Sequence, residues 1–312
     1  MINKLMIGRL GNQMFQYATV RAYQEKYCKE EKINLNFDLV YREGKIEDGF
    51  YNQLKSFNIK KCYVDKKINI SFKQKAILGC YFLKYKIIKL FSKNTSQYEL
   101  KKRQIELKMQ HIFQNNGLFI CSFGYCDFKK TEENEKLFLG FYESSKYFDN
   151  IKPLLKLEFT PKYPEKDENG EMYKIIRNSE SICVSIRRGD FLSAEQKNRH
   201  YVCTPEYFKN AIKKMQELIN NPQFIIFSDD IEWVKKNITF PEGTVFESGN
   251  DPVWEKLRLM YECKHFIISN STFSWWAQYL SRNENNKIVI SPKIWKNEGY
   301  NEDIFQENWI RI

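Results

Sequence analysis

The sequence predicts an α/β protein built on parallel sheet. Three observations carry that expectation. From about residue 175 onward, short apolar runs alternate with stretches of helical spacing. Three polar clusters, Arg187-Arg188-Gly189-Asp190, Ser228-Asp229-Asp230 and Asn270-Ser271-Thr272, each follow directly on such an apolar run. The amino terminus opens as strand, glycine turn and helix. Strand–helix alternation is the pattern of a doubly wound sheet, in which crossover helices cover the faces of parallel strands.

The chain has 312 residues, enough for two domains of ordinary size. Lys+Arg 50 against Asp+Glu 39 gives a net charge of +11. That balance favours anionic partners: a nucleotide, a phospholipid surface or nucleic acid. The charges are scattered, and a lysine-rich surface accounts for most of the excess. The eight cysteines include no CxxC, and three histidines leave little for a zinc site. They read as reduced thiols of a cytosolic protein. Met1 to Ile7 runs straight into a strand without a signal-peptide pattern. No uninterrupted apolar span is long enough to cross a bilayer.

In chain order, Asn3 to Ile7 reads as the first strand. Gly8-Arg9-Leu10-Gly11-Asn12-Gln13 is a glycine-bearing turn, and Met14 to Cys28 a helix with Phe15, Ala18, Ala22 and Tyr23 on one side. Such a unit offers backbone N–H groups and a positive dipole end to an anion or a sugar hydroxyl. Tight packing of strand on helix explains two glycines equally well. Ile33 to Leu39 resembles a second strand. Lys73 to Lys93 mixes apolar side chains with six lysines (Lys73, Lys75, Lys84, Lys86, Lys89 and Lys93) and predicts a basic amphipathic helix. Packing on its own domain is the commoner use of such a helix; a membrane surface is the other. Gly117 to Tyr125 is a further strand. The aromatics from Gly140 to Phe148 suit a core, or stacking on a sugar face.

Between Pro153 and Glu171 turn formers and charge replace apolar period, which places a linker at 161–174 between domains at 1–160 and 175–312. Ser181 to Ile186 is then a strand. Thr204-Pro205-Glu206 starts a helix: cap, proline at the first helical position, acid in the first turn. Phe224–Phe227, Thr244–Glu247, His265–Ile268 and Lys287–Ser291 are strands. Ile231–Lys236, a helix capped by Asp251-Pro252 and running to about Lys264, and Phe273–Arg282 lie between them.

All carboxyl ends of a parallel sheet point one way, so the three polar clusters share a rim. Their chemistry is complementary. Arg187 and Arg188 carry fork-shaped, permanent charge matched to phosphate oxygens. Ser271 and Thr272 stand at a helix start, where hydroxyls and N–H groups hold a second phosphate. Asp229 or Asp230 can accept from a guanine edge or ribose hydroxyls. One of these aspartates also suits a helix cap, and Arg188 with Asp190 suits a plain surface ion pair. An acid pair can hold a metal, but paired arginines already supply the positive charge. Trp275 and Trp276 read as core.

The turn Gly8-Arg9-Leu10-Gly11-Asn12-Gln13-Met14-Phe15-Gln16-Tyr17-Ala18, the cluster Arg187-Arg188-Gly189-Asp190 and the run Ser269-Asn270-Ser271-Thr272-Phe273-Ser274-Trp275-Trp276 together resemble bacterial α-1,2-fucosyltransferases of glycosyltransferase family 11. The motifs stand in the family's order across nearly the whole chain. The resemblance implies a GT-B-like enzyme: two Rossmann-type domains facing an interdomain cleft. It implies GDP-L-fucose as donor, a terminal galactoside as acceptor, inversion at the anomeric carbon and no metal or other cofactor. The natural acceptor would be a galactose-terminated glycan or lipid-linked oligosaccharide, as in polysaccharide or O-antigen biosynthesis. By the same resemblance Arg187 holds the donor diphosphate, and Arg188 and Asp190 brace its loop. Asp229 and Asp230, following Ser228, match a guanosine-contacting position. Ser271, Thr272 and Phe273, following Asn270, match the segment gripping the β-phosphate. Ser185 stands where the family usually has histidine, keeping one hydrogen bond but losing the ring. Asn12, flanked by Arg9 and Gln13, resembles the acceptor-facing turn of protein O-fucosyltransferases.

The expected mechanism follows from charge. The leaving diphosphate gathers negative charge that Arg187 and the Ser271 helix start are aimed to meet. A carboxylate, Asp190 or Glu195, would take the acceptor's proton. Two alternatives stand beside this reading: another linkage or acceptor, including a peptide hydroxyl, and a non-catalytic nucleotide- or nucleic-acid-binding protein. The latter lacks any RNA-recognition or helix-turn-helix signature, so no nucleic-acid partner is expected. The expected location is cytoplasmic, with a peripheral contact at the inner membrane face through segment 73–93.

Overall fold

Strand β1 (Ile2–Leu5) ends where Gly8 turns the chain at a φ of +72°, a conformation that favours glycine. A computed structural model describes residues 1–194, 196–298 and 302–312, without the side chains of Asp190 and Glu302. The chain folds as two compact units. One comprises Met1–Lys55, Ile59–Glu158 and Glu298–Ile304; the other comprises Ser56–Asn58, Phe159–Asn297 and Phe305–Ile312.

In the first unit, α1 (Leu10–Tyr27) starts four residues earlier than the spacing predicts. The reason is side-chain support from elsewhere in the unit. Gln53 Oε1 accepts the Leu10 N–H at 2.9 Å. The Gln13 amide donates to the Gly8 and Tyr51 carbonyls at 3.0 and 2.8 Å. The helix is buried on almost every side, its polar residues included. Each of those needs a partner in the interior; Gln16, for instance, holds both the N–H and the carbonyl of Ile7.

β2 (Ile33–Asn36) is shorter than expected, because α2 (Asp38–Glu43) claims the following residues. β3 (Tyr63–Val64), α3 (Phe72–Leu90), α4 (Thr95–Gln114), β4 (Leu118–Ile120), β5 (Lys136–Leu139) and α5 (Lys152–Glu158) complete the unit's main elements. The five strands pair in parallel in the order β3-β2-β1-β5-β4. The aromatics after Gly140 are core: Tyr142 and Phe148 are fully buried, and Phe119 stacks on Phe138 with centroids 4.4 Å apart.

The second unit runs α6 (Gly170–Asn178), β6 (Glu180–Ile186), α7 (Lys197–His200), α8 (Pro205–Leu218), β7 (Pro222–Ser228), α9 (Ile231–Asn237), β8 (Val245–Phe246), α10 (Val253–Glu262), β9 (His265–Ile268), α11 (Thr272–Leu280), β10 (Val289–Ser291) and β11 (Ile310–Arg311). Its sheet order is β11-β10-β9-β6-β7-β8, all parallel. Numbered within the unit from β8, that is 3-2-1-4-5-6, the order of a doubly wound open sheet. The first unit's 3-2-1-5-4 differs from it.

Two local expectations are corrected. Asp251 does not cap α10; its carboxylate instead takes Lys166 Nζ and Asn169 Nδ2, each at 3.0 Å. Segment 161–174, read as linker, is therefore tied down, and its end already forms the start of α6. Three short strands escaped the apolar pattern, β3, β5 and β11. Trp275 and Trp276 are fully buried as expected.

Candidate active site

Register brings the three polar clusters together. Ile186, the last residue of β6, pairs with Ser228, the last of β7. Ser185 pairs with Ile268, the last of β9. The clusters thus leave three adjacent strands at the same height. The rim they form includes the reversal of strand order between β6 and β9, where open α/β sheets leave a crevice for ligands.

The arginines are held by the aspartates of the next strand. Arg187 Nη1 lies 2.9 Å from Asp229 Oδ2, both side chains one-quarter exposed. Asp229 Oδ1 accepts the Arg188 backbone N–H at 2.9 Å, so one carboxylate secures two successive residues. Arg188 Nε donates to Asp230 Oδ2 at 3.2 Å, and its guanidinium lies over the Trp233 ring. Asp230 is the capping aspartate: its Oδ1 accepts the Trp233 N–H at 3.2 Å, while Ser228 Oγ accepts the Asp230 N–H. Partly exposed pairs like these add about 0–1 kcal/mol to stability. Their use here is to aim two guanidinium groups. Gly189 leaves room for the arrangement, since a Cβ there would stand 2.5 Å from Asp229 Oδ2.

On the other side of β6, Ser271 caps α11, accepting the Phe273 N–H at 3.3 Å. Ser185 Oγ meets Ser274 Oγ at 2.7 Å, and Ser274 Oγ is 3.3 Å from Ser269 Oγ. Three hydroxyls thereby tie the end of β6 to the first turn of α11. Thr272 and Phe273 are half-buried. Asn270 faces inward: its amide donates to the His200 and Trp295 carbonyls, both at 2.9 Å. Burial pushes the neighbouring Cys203 thiol up to about 12, which keeps it protonated and inert at neutral pH.

In the first unit the Gly8 turn also sits at a strand's carboxyl end. Glu43 Oε2 accepts the Gly8 N–H at 2.7 Å, and burial raises the Glu43 carboxyl above its ordinary range despite that bond. Asn12 packs against Gly8 so closely that a Cβ would stand 2.4 Å from Asn12 Nδ2. Its Oδ1 is buried without a hydrogen-bond partner among the described residues. Arg9 lies over the Phe50 ring at 5.7 Å. Gln13 is fully buried, its amide engaged in closing the turn.

Glu195 lies outside the described residues, as does the side chain of Asp190, whose backbone forms part of a 3-10 turn at Gly189–Leu192. Among the described residues no three His, Cys, Asp or Glu side chains converge as a metal site. Sequence reasoning missed Trp233, the platform under Arg188, and the linking role of Ser274. The spacing of Trp233, three residues after a capping aspartate, was the available signal. It also missed Glu247, a fully buried acid just beyond β8, 3.1 Å from Lys256 Nζ.

Paired arginines, a hydroxyl-rich helix start and an acidic pair on one rim of a parallel sheet define a class: α/β proteins equipped to receive an anionic ligand at their strand ends. The chain belongs to glycosyl transferase family 11, whose model matches residues 1–312. It is 32% identical to an Escherichia coli alpha-1,2-colitosyltransferase, over 98% of this chain and 97% of that protein. It is 26% identical to the E. coli O-antigen biosynthesis glycosyltransferase WbnK, over 98% of each. A squirrel-monkey (Saimiri boliviensis boliviensis) galactoside alpha-(1,2)-fucosyltransferase 1 is 27% identical over 46% of this chain and 42% of its own length. Among solved structures, fucosyltransferase NodZ from Bradyrhizobium superposes with a TM-score of 0.50 at 12% identity, covering 90% of this chain and 93% of that one. The protein is thus a glycosyltransferase with a fucosyltransferase-like fold.

Proposed function

We propose that this enzyme is an α-1,2-fucosyl- or colitosyltransferase acting on glycans. In the fuller reading it moves L-fucose from GDP-L-fucose to the 2-hydroxyl of a terminal galactoside, in a glycan or lipid-linked oligosaccharide, with inversion. The observation that carries the reading is the position of Arg187. It follows the strand at which strand order reverses and is paired with Asp229, while Ser185, two residues before it, is bonded to Ser274 in the first turn of α11. The whole-chain family match and the O-antigen relative support the choice of substrate class.

Charge determines the roles. As the bond from sugar to phosphate stretches, negative charge collects on the diphosphate, and a fixed guanidinium stabilises it without reorganising. Arriving phosphate oxygens would compete with Asp229 for Arg187. Thr272, Phe273 and the Ser271 cap would meet the second phosphate, and Asp229 or Asp230 the guanosine. Because two arginines and a helix start carry the countercharge, the reading needs no divalent metal. The acceptor hydroxyl would attack from the opposite face and lose its proton to Asp190 or Glu195. A GT-B-like arrangement, with Arg9 and Asn12 on the acceptor side, belongs to the same reading.

The colitosyl alternative is favoured by the 32% relative. Colitose is the 3-deoxy counterpart of fucose. A pocket that hydrogen-bonds the 3-hydroxyl would reject colitose by about 10⁴-fold or more, whereas an apolar pocket would discriminate by about 10²-fold at most. Transfer from GDP-fucose and GDP-colitose to lactose and other β-galactosides separates the two. In the same assay Arg187→Ala should lower kcat/KM by about 10²–10³-fold with the thermal midpoint unchanged. Full activity of that variant would remove Arg187 from the mechanism.

A further inference from the structure

Helix α3 carries two apolar faces, and its own unit covers one of them. The inner face packs Leu78 and Tyr81 against Met109, Phe113, Leu118 and Leu137. Tyr81 OH donates to the buried Glu106 carboxylate at 2.5 Å. The start is fixed by a capping box in which Ser71 and Gln74 exchange hydrogen bonds. The helix is therefore anchored, not a frayed excursion.

The outer face is another matter. Phe72 is 89% exposed, Leu83 61%, Ile87 47% and Leu90 81%. At 100° per residue these four, with Ala76, fall within a stripe about 60° wide. Phe91, one residue past the helix end, is 76% exposed and extends the apolar surface. Lysines flank the stripe on both sides: Lys75 and Lys86 on one, Lys73 and Lys84 on the other, all exposed. No Asp or Glu stands anywhere between Asp65 and Glu99, a stretch with eight lysines. An apolar stripe bordered by ammonium groups, in a stretch without acids of its own, demands two things of its occupant. It must take bulky hydrocarbon side chains out of water, and it must present negative charge along both borders.

We propose that α3 lies on an anionic bilayer, with Phe72, Leu83, Ile87 and Leu90 entering the acyl boundary. The flanking lysines reach lipid headgroups, their stems lying along the apolar surface. The helix does not cross: no helix among the described residues is long and apolar enough to span a membrane. The proposal goes beyond the transferase reading, since it needs neither donor nor acceptor. It would bring the enzyme to the surface on which a lipid-carried acceptor is displayed.

The test is sedimentation of the whole protein with vesicles of phosphatidylcholine alone or with one-third phosphatidylglycerol, at low and high salt. Expected is at least tenfold stronger partition to the anionic vesicles, reduced by salt. Leu83→Glu with Leu90→Glu should abolish it, and Lys75→Glu with Lys86→Glu should weaken it at least tenfold. Both pairs are exposed, so unchanged circular dichroism and unchanged transfer to a water-soluble galactoside should accompany the loss. Equal binding to both vesicles, or none, would overturn the proposal. So would a dimer in sedimentation velocity that Leu83→Glu dissolves, which would make a second copy the occupant. Retention on RNA that survives Leu83→Glu with Leu90→Glu while vesicle binding is absent would equally overturn it.

Discussion

Gly189 shows how much one missing side chain arranges. Its neighbour across the strand is the carboxylate that holds both Arg187 and the Arg188 backbone. A methyl group at 189 would meet that carboxylate at 2.5 Å. The carboxylate is short and doubly engaged, so moving it releases the arginine. Gly189→Ala should therefore raise the KM for the nucleotide-sugar by about tenfold, a loss of about 1.4 kcal/mol, while urea unfolding changes little. A variant with wild-type KM would show that the Asp229 pairing does not position Arg187. Ser185 makes a related point. Its hydroxyl is bonded to Ser274, so the residue links two elements. Asn270 and Gln13, read from motifs as ligand-facing, instead spend their amides inside the protein.

At the scale of elements, caps were the most legible signals. Thr204-Pro205-Glu206 announces α8, and Thr204 Oγ1 does accept the Tyr207 N–H, at 3.4 Å. At that length the bond is modest. Thr204→Ala should cost about 0.5–1 kcal/mol in urea unfolding and leave transfer kinetics unchanged. A loss beyond about 2 kcal/mol would mean the hydroxyl does more than cap. Helix α3 was legible as basic and amphipathic. Its spacing did not reveal that a second apolar stripe, opposite the packed one, stays in solvent. β3, β5 and β11 were missed for a different reason. At two, four and two residues they are too short to show periodicity, and only pairing with β2, with β1 and β4, and with β10 makes them strands.

At the scale of the molecule, the start of β9 is tied to the chain on both sides of it in the second sheet. His265 begins that strand with its side chain 4% exposed. Its Nδ1 accepts the Ile288 N–H at 3.2 Å, while Nε2 faces Glu180 at 3.3 Å. Burial lowers its pKa below the ordinary 6.5, outweighing the pull of Glu180; Lys264 lowers it further. The unfolded chain therefore binds this proton more readily than the folded one. Stability from this group is complete above about pH 6.5 and declines as pH falls, with a slope of at most about 1.4 kcal/mol per pH unit. Unfolding free energies measured between pH 7.5 and 5.5 should show that decline, and His265→Gln should flatten it. An unchanged slope would assign the acid sensitivity elsewhere.

By itself the sequence determined the class of fold and where its polar clusters fall. Apolar runs such as Ile182–Ile186 and Phe224–Phe227 end abruptly on charge, and strand period and capping chemistry are local properties written in neighbouring residues. It also carried the family, through three motifs in order. Tertiary structure decided everything that depends on which strand lies beside which. The choice of Asp229 for Arg187 and Asp230 for Arg188, the stacking of Trp233, and the inward turn of Asn270 all follow from register between distant segments. So does the exposure of one face of α3, because burial is a property of what packs against a residue, and no residue encodes its neighbours alone.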